Sequence, residues 1–128
     1  MIYLKPEQVL FIHARLVAET GGMHGLRDLG LLQSAINRPR ASFDGNDLYT
    51  DIYQKAAALM ESLINNHLFL DGNKRTGITS AALFLQINGF SLTASNKEVE
   101  IFTLSVASGQ CSMGRIAIWL KKHCKAQQ

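Results

Sequence analysis

Ile52, Ala56, Leu59, Met60, Leu63 and Ile64 recur at the spacing of one helix face, and a second apolar run follows from Thr76 to Ile87. Between them stands the string His67-Leu68-Phe69-Leu70-Asp71-Gly72-Asn73-Lys74-Arg75. So short a join requires a tight bend that feeds directly into the second helix. Ile78, Ala81, Ala82, Leu83, Phe84, Leu85 and Ile87 make that helix, roughly Lys74 to Asn88, apolar nearly all round, which marks a buried, central element. Gly77, Ser80, Ala81 and Ala82 are small enough to let neighbours pack close. Asn88-Gly89 closes it with a glycine-type cap. Asp51 or Thr50 suits the N-cap of the helix before the bend.

The bend carries chemistry. Gly72 permits backbone torsions that other residues resist, and Asn73 tolerates them too. The first amides of the following helix lack intrahelical partners and sit at the positive end of its dipole, a ready anion site. Lys74 and Arg75 oppose that dipole, so an anion that offsets the repulsion is expected there. Asp71 offers a hard oxygen ligand suited to magnesium held jointly with phosphates. His67 is of a residue type that can act as a general base near neutral pH. Phe69 has no chemistry of its own and is expected to plug into the core and hold the bend. An ordinary polar turn between two helices, with His67 capping the first, is the plainer reading of these residues by themselves. Base, metal ligand, anion nest and two cations so close together are also what phosphoryl or nucleotidyl transfer would need.

The string resembles the signature of the Fic/Doc superfamily, His-x-Phe-x-(Asp/Glu)-Gly-Asn-(Gly/Lys)-Arg. His67, Phe69, Asp71, Gly72, Asn73, Lys74 and Arg75 fill its seven specified positions. Lys74 in place of glycine, with Gly25-Leu26-Arg27-Asp28 and Ala82-Leu83-Phe84-Leu85-x-x-Asn88-Gly89, is similar to the death-on-curing (Doc) branch. The resemblance covers nearly the whole chain. It implies an all-α fold, a compact helical bundle around a central buried helix, with residues 1–128 as one domain.

The rest of the chain is consistent with that layout. Met1 to Leu4 reads as an extended tail. Pro6 opens a helix through Val9, Leu10, Ile12, His13, Leu16 and Val17; His13 there reads as a packed core histidine. Three glycines within residues 21–25 break it, leaving His24 in an exposed loop. Asp28 caps a helix through Leu31, Leu32, Ala35 and Ile36, stopped by Asn37-Arg38-Pro39-Arg40. Residues 40–50 read as a turn-rich loop with Phe43, Leu48 and Tyr49 embedded; the resemblance makes it a flap that holds a target's backbone as an added strand. Ser91-Leu92-Thr93 reads as a linker. Val99, Phe102 and Val106 mark a helix ended by Gly109, and Ser112 caps a last one through Ile116, Trp119 and Leu120, with Lys121, Lys122 and Lys125 at its C-terminal end. Trp119 reads as core. No strand alternation stands out.

Composition excludes several classes. Hydrophobic residues make up 47% of 128, so a real core rather than disorder is expected. No apolar run is long enough for a bilayer, and no charged-then-apolar leader opens the sequence. Cys111 and Cys124 have neither metal spacing nor a disulfide framework, in keeping with the cytoplasm. A net charge of +3 is too weak to argue for direct nucleic-acid binding.

Carried over by position, the resemblance implies that His67 takes a proton from a target hydroxyl, that Asp71 holds Mg2+, and that Gly72, Asn73, Lys74 and Arg75 bind the phosphates of ATP or another nucleoside triphosphate. Fic enzymes proper transfer AMP; they carry glycine at the Lys74 position and an arginine at the Ile78 position. The Doc-type lysine goes with a reversed nucleotide and transfer of phosphate. The resemblance therefore implies a growth-arresting toxin that phosphorylates a hydroxyl, on a translation elongation factor, and that is silenced by a small antitoxin folding on binding. An AMP transferase and a catalytically silent binding module are the alternative readings of the same residues. No glutamate is followed by glycine or asparagine, so the self-inhibitory glutamate of many Fic proteins is not expected.

Overall fold

Capping side chains set most of the helix starts. Asp28 accepts from the Leu31 N–H at 3.0 Å, Asp51 from that of Gln54 at 2.8 Å, Ser95 from that of Glu98 at 3.2 Å and Ser112 from that of Arg115 at 3.3 Å. In the computed structural model, which describes residues 1–127, these residues open four of six helices. The helices are α1 (Pro6–Thr20), α2 (Leu29–Asn37), α3 (Ile52–Asn65), α4 (Asn73–Ile87), α5 (Asn96–Ala107) and α6 (Met113–Lys122). α2 runs into a single 3-10 turn, Arg38–Arg40, where Pro39 ends it. The choice between Thr50 and Asp51 falls to Asp51.

One core cluster runs from Leu4 to Leu120 and joins all six helices. α3 and α4 share its centre. Ten of the fourteen α3 residues are buried, against seven of fifteen in α4, so the helix before the bend is even more enclosed than the one after it. Their approach depends on Gly77: a Cβ there would lie 2.5 Å from Ile64 Cγ1. Trp119 is half-buried and stacks on Phe102 with ring centroids 3.8 Å apart, packed as expected against the core.

Among the described residues, four short strands accompany the helices. β1 (Ser42–Phe43) and β2 (Asn46–Asp47) form an antiparallel hairpin turned by Asp44 and Gly45, whose φ values of 53° and 81° suit an Asp-Gly two-residue turn. β3 (Phe90–Leu92) pairs with β4 (Cys124–Ala126), with Leu92 opposite Cys124. Two expectations change here. Ser91 and Leu92 belong to a strand rather than a linker, and Lys125 lies on β4 rather than at a helix end, because α6 stops at Lys122. Strands of two or three residues are too short to display alternation, and their pairing is decided by segments far apart in sequence. The N-terminal tail is extended and tied down: the Ile2 N–H donates to Asn88 Oδ1 at 2.7 Å, and the Asn88 amide donates to the Ile2 carbonyl at 2.8 Å.

Candidate active site

The bend begins where α3 ends. His67 follows at φ 49°, in the left-handed region, and is exposed. Leu68 and Phe69 then turn inward, and Phe69 is 1% exposed. The Asn73 side chain holds this inward loop: its Oδ1 accepts from the Phe69 N–H and its Nδ2 donates to the Phe69 carbonyl, each at 3.0 Å. Of the phosphate-binding groups expected of Asn73, the side chain is therefore engaged inside the loop, which leaves the main-chain N–H facing out. The 21–27 segment braces the outer side through an antiparallel bridge, Leu26 opposite Phe69, with Arg27 N–H to Leu68 O at 2.7 Å and Leu70 N–H to Gly25 O at 3.1 Å.

Gly72 is the N-cap of α4 at φ 80° and provides no side-chain cap. Its carbonyl takes the first helical bond, from Thr76 N–H at 3.0 Å. Among the described residues the N–H groups of Asn73, Lys74 and Arg75 find no protein acceptor, in contrast to the four helices opened by Asp or Ser. Lys74 and Arg75 are exposed beside them. Three open amides, two cations and the positive end of a helix dipole together could hold an anion.

The Asp71 carboxylate stands at the same end. Oδ1 accepts from Gly72 N–H at 2.9 Å and Oδ2 from Met23 N–H at 3.3 Å. Gly22 makes room for it, since a Cβ there would sit 2.6 Å from Oδ2. Among the described residues no group of three or more His, Cys, Asp or Glu side chains could hold a metal. A single aimed carboxylate with lone pairs to spare fits Mg2+ shared with phosphate and water, and does not fit an all-protein cage.

His67, Asp71, Gly72, Asn73, Lys74 and Arg75 all line one open cleft of about 490 Å3. Two other clefts have similar volume: about 480 Å3 between the start of α3 and α6, and about 560 Å3 between α1, α4 and α5. Volume does not single out the site; the donor set does. His13, read from the sequence as a packed core residue, is packed, and it also reaches the bend: Nε2 lies 2.8 Å from the Asp71 carbonyl. The sequence signal was a lone histidine on the apolar stripe Val9, His13, Val17. His24 is exposed in its loop.

Comparisons with known proteins identify the family. The Fic/DOC family model matches residues 3–85. The chain is 42% identical over 110 residues to "Toxin Doc" of Mycolicibacterium smegmatis, covering 84% of this chain and 85% of that protein. It is 30% identical over 122 residues to "Protein kinase doc" of Escherichia phage P1, covering 95% of each. No helix among the described residues is long and apolar enough to cross a membrane. With the motif bend seated between α3 and α4, and a family match over more than half its length, the chain belongs to the Fic/DOC family.

Proposed function

We propose that this chain is the toxin of a toxin–antitoxin pair, and that it transfers the γ-phosphoryl group of ATP or another nucleoside triphosphate to a protein hydroxyl. The observation that carries this reading is the uncapped start of α4, with three unpartnered amides beside Lys74 and Arg75, on the cleft that His67 and Asp71 also line. The names of the two relatives, a toxin and a protein kinase, support it.

In this reading His67 accepts the proton of the target hydroxyl as its oxygen bonds to phosphorus. The bond from phosphorus to the nucleoside diphosphate breaks, and the amides of residues 73–75 with Lys74 and Arg75 hold the charge that leaves with it. Mg2+, when bound at Asp71, supplies charge neutralisation for the phosphates. Transfer of phosphate is favoured over transfer of AMP by Lys74, which occupies the place of a glycine, and by Ile78, a buried apolar residue where a Fic-type AMP transferase would present a second arginine.

Residues 1–128 act as one domain in this reading, which a core cluster running from Leu4 to Leu120 supports, and they act in the cytoplasm. The target is a translation elongation factor, so that modification blocks translation. The silencing partner is a small antitoxin that folds on binding in the groove between α1, α4 and α5. That groove is lined by Leu16, Ile78 and Val99 and also by Lys74 and Arg75, so its occupant would sit against the phosphate-binding cations.

The deciding experiment incubates the pure protein with Mg2+, cell lysate and ATP labelled on either the α- or the γ-phosphate. Label from the γ-position alone, on one protein, is expected. Label from the α-position would make the chain an AMP transferase. Nucleotide binding with no label from either would make it a silent binding module.

A further inference from the structure

We infer that His13 is a positioning residue for the Asp71–Gly72 bend, setting the aim of the Asp71 carboxylate from α1, 58 residues away in the chain. This rests on the reading of Asp71 as the residue that meets Mg2+.

The inference starts from burial. His13 is 4% exposed, on the inward stripe of α1 between Val9 and Val17. A buried imidazole needs a partner, and among the described residues its partner is the main-chain carbonyl of Asp71, 2.8 Å from Nε2. A carbonyl only accepts, so Nε2 carries the proton and donates it. The ring face lies on Phe69, with centroids 3.7 Å apart and planes 11° from parallel. Its edge stands against Gly72, where a Cβ would come within 3.6 Å of His13 Cδ2. One imidazole thus touches the bend at Phe69, Asp71 and Gly72.

The consequence follows from peptide planarity. The Asp71 carbonyl and the Gly72 N–H belong to one rigid plane. Fixing the carbonyl therefore fixes that N–H, which in turn holds Asp71 Oδ1 at 2.9 Å. Met23 N–H holds the other carboxylate oxygen. The carboxylate is aimed through a relay that begins at His13. His13 itself does not line the cleft and is not a catalytic residue. Histidine at this position combines a flat ring for Phe69 with an N–H that reaches the carbonyl, and no other single side chain supplies both in the same space.

Two substitutions separate this role from simple core filling. His13→Phe keeps the stacked ring and removes the N–H; His13→Gln keeps a donor and removes the ring. Amide exchange at Leu70 and Gly72 is measured first, in the ligand-free protein. It is expected to rise by about tenfold in His13→Phe and to stay near wild type in His13→Gln. The Mg2+ concentration for half-maximal binding of a fluorescent ATP analogue is measured next. It is expected to rise by roughly 10-fold or more in His13→Phe, the usual effect of losing an outer-shell partner, and to be largely restored in His13→Gln. Analogue affinity without Mg2+ is expected to be the same in all three proteins. Unchanged exchange and Mg2+ dependence in His13→Phe, or equal effects of the two substitutions, would overturn the inference. If the wild-type protein bound no nucleotide, the proposed function would fall, and the exchange measurement alone would still decide whether His13 holds the bend.

Discussion

His67 is held in the left-handed backbone region, which few non-glycine residues adopt and histidine adopts more readily than most. It stands between two anchored stretches, the end of α3 before it and the buried Leu68 and Phe69 after it. A histidine so fixed suits a base that must meet one oxygen. His67→Ala is therefore expected to lower the transfer rate by roughly 10²–10⁴-fold, with nucleotide affinity unchanged, as initial rates and direct binding would show. Asn73 works at the opposite edge of the bend. Asn73→Ala leaves the main-chain N–H and C=O of Phe69 without their partners, both at a largely buried site. A loss of about 1–3 kcal/mol of stability is expected, measured by chemical denaturation, together with weaker nucleotide binding as the start of α4 loosens.

The β1–β2 hairpin shows how an element can be placed by residues outside it. Two short paired strands have little stability of their own, and the hairpin displays Phe43 at 78% exposure. Its base is clamped to α3 by two cations. Lys55, 3% exposed, donates to the Pro39 carbonyl at 3.0 Å and to Asp47 Oδ2 at 3.4 Å. Arg38 pairs with Glu61, and donates to Ser62 Oγ at 2.7 Å and to the Tyr49 hydroxyl at 3.0 Å. Burial alone would lower the Arg38 pKa, but hydrogen bonds to Glu61 and Tyr49 outweigh it and leave the net shift upward, so this clamp stays charged. Lys55→Met is expected to free the hairpin: amide exchange across residues 42–49 should rise, and, in the reading that this segment holds the target's backbone, KM for the protein target should rise with it.

At the start of α5, hydrogen bonds from the Ser95 main chain and hydroxyl, with a smaller contribution from His123, hold the Glu98 carboxyl below the ordinary glutamate range. A depressed carboxylate stabilises the fold above its unfolded-state value and loses that contribution as pH falls through the lower folded value. Protection of the amides in the first turn of α5, taken relative to their intrinsic exchange, is expected to fall as pH drops through the acid side of the ordinary glutamate range, and that dependence is expected to be lost in Glu98→Gln.

Across the whole molecule the decisive packing is α3 on α4, because the bend between them can be rigid only if they are. Gly77 sets their separation. Gly77→Ala would drive a methyl group into Ile64. The expected outcome is a loss of about 1–3 kcal/mol from overpacking, read in thermal unfolding, with nucleotide affinity reduced even though no cleft residue has changed. A normal melting temperature with normal binding would show that the pair can separate without disturbing the bend.

The helices, their caps and the motif string were legible in the amino acids because they rest on local physics: apolar spacing, Asp and Ser at helix starts, and glycine at turns act between residues a few positions apart. The seven motif residues also stand within nine positions of one another, so their gathering needed no long-range folding. Tertiary structure alone decided the rest. Leu92 finds Cys124, His13 finds the Asp71 carbonyl, and Lys55 finds the base of the hairpin across separations that no periodicity spans. His13 and Lys55 are polar and buried, and the partner of each is whichever complementary group the packed helices bring within hydrogen-bond reach; Leu92 and Cys124 are paired through the strand backbone.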